Sequence, residues 1–318
     1  MAAAEAQRNG QHGSLLLELV QRYFGHRLAN LSVAVRRTTA DSLNRHLDNA
    51  RKLEREGQIA RAERLRAEVA LADAQRELLT AQRQEDLARR GLAALLATDD
   101  ELLPVTAIPA PAPPESLESL TERALRANPQ LTRAAEQKTR AEQGVVAARG
   151  EFAPAVGLFA LGNVYSHDPI LREPDWAIGV RLDWPLFDGF QRRSRLQAAR
   201  AQLEQVDLLA AAGRRDVALL VAQRHLMLSD ALDQLRSYET TRALAEESLR
   251  AQQRAFAEGF ATSLDVVDAQ LALSRLKLGI LSAHYDAAIA QAGLFEACGE
   301  AARIRDFVAS APSAEGGK

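Results

Sequence analysis

Residues 176–186 read W-A-I-G-V-R-L-D-W-P-L. Trp176, Ile178, Val180, Leu182, Trp184 and Leu186 alternate with Ala177, Gly179, Arg181, Asp183 and Pro185. A period of two marks a strand with unlike faces. The large apolar face suits lipid, and the small or charged face, carrying Arg181 and Asp183, suits a wet lumen. Trp176 and Trp184 are separated by ~26 Å at ~3.3 Å per residue, close to the ~25 Å apolar band that aromatic girdles flank in membrane β-barrels. Residues 155–165 (AVGLFALGNVY) offer a partner strand ending at Tyr165, and 166–175 (SHDPILREPD) a polar, proline-bearing loop. Tyr165, Trp176 and Trp184 are the expected membrane-interface anchors. A soluble hairpin with one buried face has the same local pattern.

On both sides of this stretch the chain repeats itself. At a constant offset of 202 residues, Gln21-Arg22 falls on Gln223-Arg224, Leu47 on Leu249, Glu56-Gly57 on Glu258-Gly259, Leu71 on Leu273, Ala81 on Ala283 and Gly91-Leu92 on Gly293-Leu294. No gap is needed from about residue 15 to 97, so each copy reads as one helical hairpin. In the second copy Val217, Val221, Leu228, Leu232, Leu235 and Tyr238 keep a three-four spacing, resumed after Gly259 by Leu264, Val267, Leu271, Leu278, Leu281 and Tyr285. These heptad-like steps predict long antiparallel coiled-coil hairpins. From Gly189 to Glu258 there is no proline, and an unbroken helix there would be roughly 100 Å long. Residues 103–114 (LPVTAIPAPAPP) cannot be helix, and 115–150 return to helix with a break at Asn128-Pro129.

Composition narrows the function classes. Lys+Arg 40 against Asp+Glu 42 leaves a net charge of −2, without the basic footprint of a nucleic-acid binder. The one cysteine, Cys298, allows no internal disulfide and no thiolate cage, and the six histidines form no H-x-x-H pair, so no metal or other cofactor is expected. No nucleophile–base pair or carboxylate dyad can be placed, so no enzyme is expected. Cys298 reads as a packing residue, and the pairs Arg89-Arg90, Arg192-Arg193 and Arg214-Arg215 as solvated helix faces.

With these residues in view, the chain resembles the TolC-type outer-membrane efflux proteins over about residues 14–300. Pro185-Leu186-Phe187-Asp188-Gly189 looks like that family's strand–helix junction. Proline ends the strand, Asp188 is placed to N-cap the helix and Gly189 relaxes the turn. Residues 258–269 (EGFATSLDVVDA) look like its helix-tip motif. The first copy, Glu56-Gly57-Gln58-Ile59-Ala60, matches less well, with Glu63 standing where the second copy has Asp265. The resemblance implies a mainly α fold: α-barrel hairpins plus one transmembrane β-hairpin contributing to a trimeric β-barrel. It also implies a homotrimer in outer-membrane lipid with a periplasmic extension. A periplasmic adaptor protein and an inner-membrane pump would meet the tips (Gly57, Glu63, Gly259, Thr262, Ser263, Leu264 and Asp265), and substrates of an efflux or type I secretion system would pass without chemistry. On that plan residues 1–13 are disordered and 14–97 form the first hairpin. Residues 98–128 form an equatorial segment, 129–152 a helix and 153–187 the β-hairpin. Residues 188–298 form the second hairpin and 299–318 a tail.

The chain departs from that pattern in carrying one strand hairpin where the family has two. Position 189 less 202 falls at −13, before Met1, so the repeat expects the first junction, its hairpin and a signal peptide upstream, roughly 100–115 residues in all. Two strands in each of three protomers make six, and bacterial barrels start at about eight. The expectation is therefore that the chain as written is a truncated gene, a misassigned start or a degenerate copy. The alternative function is a soluble coiled-coil scaffold or a non-functional relic.

Overall fold

The structure is a computed structural model that describes residues 2–100, 102–162 and 176–312. The described elements are α1 (Ala2–Arg55), α2 (Arg61–Leu96), α3 (Leu117–Ala127), α4 (Pro129–Gly150), β1 (Ala155–Gly162), β2 (Trp176–Asp183), α5 (Gln191–Ala257), α6 (Ser263–Ala297) and α7 (Ala301–Ala309). The fold is mainly α. Tyr165, the loop at 166–175 and residues 313–318 lie outside the described residues. By packing the chain divides into two units, Met1–Gln7 with Gln130–Asp216, and Arg8–Pro129 with Val217–Lys318. No helix of the described residues is long and apolar enough to cross a membrane.

The second of these units holds both repeats, and its packing explains which residues the repeat keeps. Leu43, Leu47 and Leu53 of α1 meet Leu71 of α2, Leu249 and Phe256 of α5, and Val266, Val267 and Leu273 of α6 in one buried cluster. Leu47/Leu249 and Leu71/Leu273 are thus equivalent pairs in one core, each side chain stabilising by about 1.5–3 kcal/mol on burial. The two arginines explain a second pair. Arg22 Nη1 donates to the Gly91 carbonyl at 3.1 Å, and Arg224 lies so close over Gly293 that a Cβ there would sit 3.0 Å from its Nε. Each hairpin has the same arginine crossing to the same glycine. A second cluster joins Leu17, Val20 and Phe24 of α1, Ile289 and Phe295 of α6 and Ile304 of α7. The proline-rich segment is held there, Ala107 N–H on the Pro312 carbonyl at 3.1 Å and Thr106 N–H on Tyr23 Oη at 3.1 Å.

Three details of the structure go beyond or against the sequence reading. Residues 1–13 are read as disordered, yet α1 begins at Ala2. The helix start packs on neighbours distant in sequence: a Cβ at Gly10 would lie 3.4 Å from Pro129 Cβ, and one at Gly13 3.9 Å from Ala301 Cβ, both ordinary contacts. The tail carries a helix, α7, because Ile304 is buried in the second cluster. Leu264, placed in the apolar stripe, is 49% exposed, while Ser263 and Val266 point inward.

In the other unit β1 and β2 pair antiparallel, with Leu158 opposite Val180 and Phe159 opposite Gly179. The register puts Val156, Leu158 and Ala160 on one face with Trp176, Ile178, Val180 and Leu182, and no polar side chain is among them. On the other face the Phe159 ring lies across Gly179, where a Cβ would come within 2.7 Å of Cζ. The strand ends at Asp183 rather than running to Leu186, since Pro185 has no N–H to continue a ladder.

Candidate functional site

The residues singled out in the sequence fall at two places, the helix tips and the strand–helix junction. At the tips, α1 and α5 end alike. Gly57 and Gly259 adopt φ +72° and +79°. Gln58 N–H bonds Leu53 O at 2.9 Å and Phe260 N–H bonds Ala255 O at 2.8 Å. These are the 6→1 bonds of a Schellman motif, which favours glycine because a left-handed residue with a Cβ is strained.

The next helices start differently. Thr262 and Asp265 form a reciprocal capping box: the Thr262 hydroxyl accepts from Asp265 N–H at 3.4 Å and Asp265 Oδ2 accepts from Thr262 N–H at 2.8 Å. Donation from Thr262 Oγ1 (2.7 Å) is the main cause that holds the Asp265 carboxyl below its usual range. In the first copy Ala60 is the N-cap and supplies no side chain. Glu63, the counterpart of Asp265, reaches across instead: its Oε2 accepts from Ser263 N–H at 2.8 Å and its Oε1 from Arg66 at 2.7 Å. Arg64 closes its own tip by ion pairs to Glu54 (2.6 Å) and Glu68 (2.5 Å). One hairpin's first-turn acid therefore satisfies an orphan donor of the other hairpin's helix. Thr262→Ala is expected to cost about 1 kcal/mol, seen as a lower thermal midpoint of the helical signal. An unchanged midpoint would show that the cap is dispensable.

Behind Ser263 runs a polar seam that the sequence reading did not contain. His46 Nε2 lies 2.8 Å from Ser263 Oγ, Ser42 Oγ donates to Gln270 Oε1 at 2.6 Å, and Thr39 Oγ1 lies 2.9 Å from Ser274 Oγ. His46 packs on Phe256 with ring centroids 4.7 Å apart. Its repeat counterpart is Ser248, so the duplication gave no signal. Burial pushes the His46 imidazole below its ordinary range, with the Glu63 carboxylate opposing. A depressed folded value means that the unfolded chain takes the proton first. The contribution of neutral His46 is therefore present above pH ~6.5 and is lost as pH falls below it. His46→Gln is expected to flatten that part of the stability–pH profile. The wild-type-minus-variant difference isolates His46 from His284, which burial lowers as well. Parallel profiles would overturn the assignment.

Outside the seam, α2 and α6 leave an open groove of about 630 Å³ lined by Leu65, Val69, Leu264, Val267 and Leu271, with Arg66 and Asp73 beside it.

At the junction Arg181 Nε and Asp183 Oδ2 pair at 2.7 Å on the polar face. Gly189 and Phe190 are both left-handed, φ +65° and +68°, and α5 begins only at Gln191. Asp188 is thus too early to be the N-cap residue. It still captures a first-turn donor: its Oδ2 accepts from Arg192 N–H at 3.0 Å and from Arg192 Nε at 2.8 Å. The backbone N–H is the main cause that holds its carboxyl below the usual range. Arg192, read with Arg193 as a solvated helix face, is instead the hub of the junction, its side chain 12% exposed. It also donates to the carbonyls of Pro185 and Glu151, and its guanidinium lies 5.5 Å from the Phe152 ring centroid. Trp184 Nε1 donates to Phe152 O at 3.4 Å, and Arg195 pairs with Glu151 at 2.8 Å. Among the described residues no His/Cys/Asp/Glu group is arranged to hold a metal ion.

The chain belongs to the outer membrane efflux protein family, whose family model matches residues 120–300. It is 25% identical over 290 residues to the alkaline protease secretion protein AprF of Pseudomonas aeruginosa, covering 87% of this chain and 59% of AprF. It is 30% identical over 222 residues to protein CyaE of Bordetella pertussis, covering 67% of this chain and 46% of CyaE. The chain thus spans about half the length of these relatives. Among solved structures, a crystal structure of CusC, determined in work on folding and transmembrane channel formation, superposes with a TM-score of 0.82 at 17% identity, over 93% of this chain and 70% of CusC. That likeness concerns the fold.

Proposed function

We propose that the chain is the outer-membrane component of an export system, a passive conduit for substrates delivered by an inner-membrane pump in efflux or type I secretion. The protomer trimerises, with β1 and β2 in a shared membrane barrel and the two helical hairpins in a periplasmic α-barrel. Residues 98–128 and the tail form an equatorial belt. Arg181 and Asp183 face the lumen, and Trp176 and Trp184 anchor the rims. The tips carrying Gly57, Glu63, Gly259, Thr262, Ser263, Leu264 and Asp265 meet the periplasmic adaptor, and Phe260, 84% exposed there, joins them. The protein performs no catalysis and uses no cofactor.

The observation that carries this reading is the strand register, which gathers every large aliphatic side chain of β2 on one exposed face beside those of Val156 and Leu158. Such a face has no partner among the described residues of its unit and is what a barrel turns to lipid. Secretion is favoured by AprF, itself a protease secretion protein. The test is expression in a Gram-negative host followed by membrane fractionation, cross-linking and planar-bilayer recording. The expected result is an outer-membrane trimer with steady conductance. A soluble monomer without conductance would overturn the proposal.

A further inference from the structure

We infer that the turn between β2 and α5 is a phospholipid-seating collar, in which Phe187 and Phe190 lie among the glycerol and upper acyl region of the periplasm-facing leaflet and Arg193 holds a lipid phosphodiester. The inference rests on the membrane reading of β1 and β2. Within residues 184–190, Trp184, Leu186, Phe187 and Phe190 are 55%, 80%, 77% and 63% exposed. A contiguous apolar patch of this kind on an exposed turn marks an interaction surface. Phe187 and Phe190 touch only edge to face, with centroids 5.8 Å apart.

The backbone that presents them is strained. Two consecutive left-handed residues turn the chain back, and the second is Phe190 at φ +68°, a conformation that crowds any Cβ. Glycine would sit there at ease. A phenylalanine is instead held in strain with its ring 63% exposed, touching Phe187 edge to face but buried by none of the described residues.

What covers the ring is indicated by its surroundings. Trp184 and Leu186 follow directly on the apolar face of the strand, which ends at Asp183, and both are exposed, so apolar surface continues into the collar. The cations follow at once. Arg192 is engaged with Asp188, and Arg195 with Glu151. Arg193 is exposed and has no partner among the described residues. Aromatic rings at the apolar edge with an arginine just beyond match the order of a leaflet, acyl chain and then phosphate. A second copy of the chain seated on the patch would have to bury that unpaired arginine.

The test places a single tryptophan in a Trp176→Phe/Trp184→Phe background of the full chain, reconstituted in phosphatidylcholine vesicles with bromines near the headgroup or deep in the acyl chain. Phe187→Trp should be quenched most by the shallow bromines, and Ile178→Trp by the deep ones. Phosphatidylglycerol should tighten partitioning of the wild type, and Arg193→Gln should lose about fivefold of that gain. Phe190→Gly should raise the thermal midpoint by relieving strain yet weaken partitioning roughly two- to threefold, opposite movements that a merely structural residue would not give. Quenching of Ile178→Trp without quenching of Phe187→Trp would overturn the collar and leave the membrane hairpin standing. A blue-shifted, unquenched Phe187→Trp would overturn it in favour of a protein partner. Quenching of neither would overturn the membrane reading itself.

Discussion

Gly299→Ala is expected to destabilise the protein by about 3 kcal/mol or more, since among the described glycines its Cβ would make the shortest contact. Gly299 follows α6 at φ +72°. Its N–H bonds Glu296 O at 2.9 Å, and Glu300 N–H bonds Phe295 O at 2.8 Å. Left-handed backbone alone costs a side chain about 1–2 kcal/mol. Here the new Cβ would also stand 2.4 Å from the Ala127 carbonyl oxygen, and a backbone oxygen cannot swing aside as a side chain does. The corner between α3 and α4, held on α6 by Asn128 Nδ2 donating to Ala297 O at 2.8 Å, would have to move. Ala97 provides the mirror test. It stands 202 residues before Gly299, also ends its helix left-handed at φ 50°, and has Thr98 N–H on Ala93 O at 3.2 Å. Ala97→Gly is expected to stabilise by up to about 1 kcal/mol. Denaturant melts of the two variants read both. A Gly299→Ala melt that overlays the wild type would sink the argument.

The Gly299/Ala97 pair also shows which features are legible in the sequence. Residues whose role is local or duplicated could be read directly. Alternation of 176–182 requires a strand, the Gly57/Gly259 match requires two equivalent turns, and the Gln-Arg and Gly-Leu matches record a contact made twice. Illegible were features that depend on which helices come together. Glu63 looks like a poor copy of Asp265 until Ser263 of the other hairpin is seen to offer it an N–H. His46 looks like one histidine among six until Ser263 and Phe256 enclose it. Residues 1–13 read as disordered because local propensity is judged without neighbours, whereas Gly10 and Gly13 lie against Pro129 and Ala301. Leu264 fits the heptad, yet the capping box turns Ser263 inward and leaves Leu264 in the groove beside α2. Phe190 could not have been found, since no pattern announces a phenylalanine at positive φ.

Val180→Arg is expected to remove the protein from the outer membrane. Val180 lies midway between Trp176 and Trp184, opposite Leu158 in the register and 67% exposed. At the centre of the apolar band an arginine costs about 2–4 kcal/mol on a barrel's lipid face. In the trimer proposed above that cost recurs in every protomer, so the inserted population should fall by well over tenfold. The neighbouring position supplies the control within the wild type. Arg181, one residue on and therefore on the other face, already carries a guanidinium and pairs it with Asp183 at 2.7 Å. Arginine is thus compatible with this strand as a strand, and only the face differs. Val180 belongs to neither buried helical cluster, so the helical circular dichroism signal should stay while the membrane fraction is lost. A soluble hairpin would show no such loss, because replacing a solvent-exposed valine by arginine leaves the distribution between fractions unchanged. Retention of Val180→Arg in the outer membrane at the wild-type level would therefore mean that this face never meets lipid.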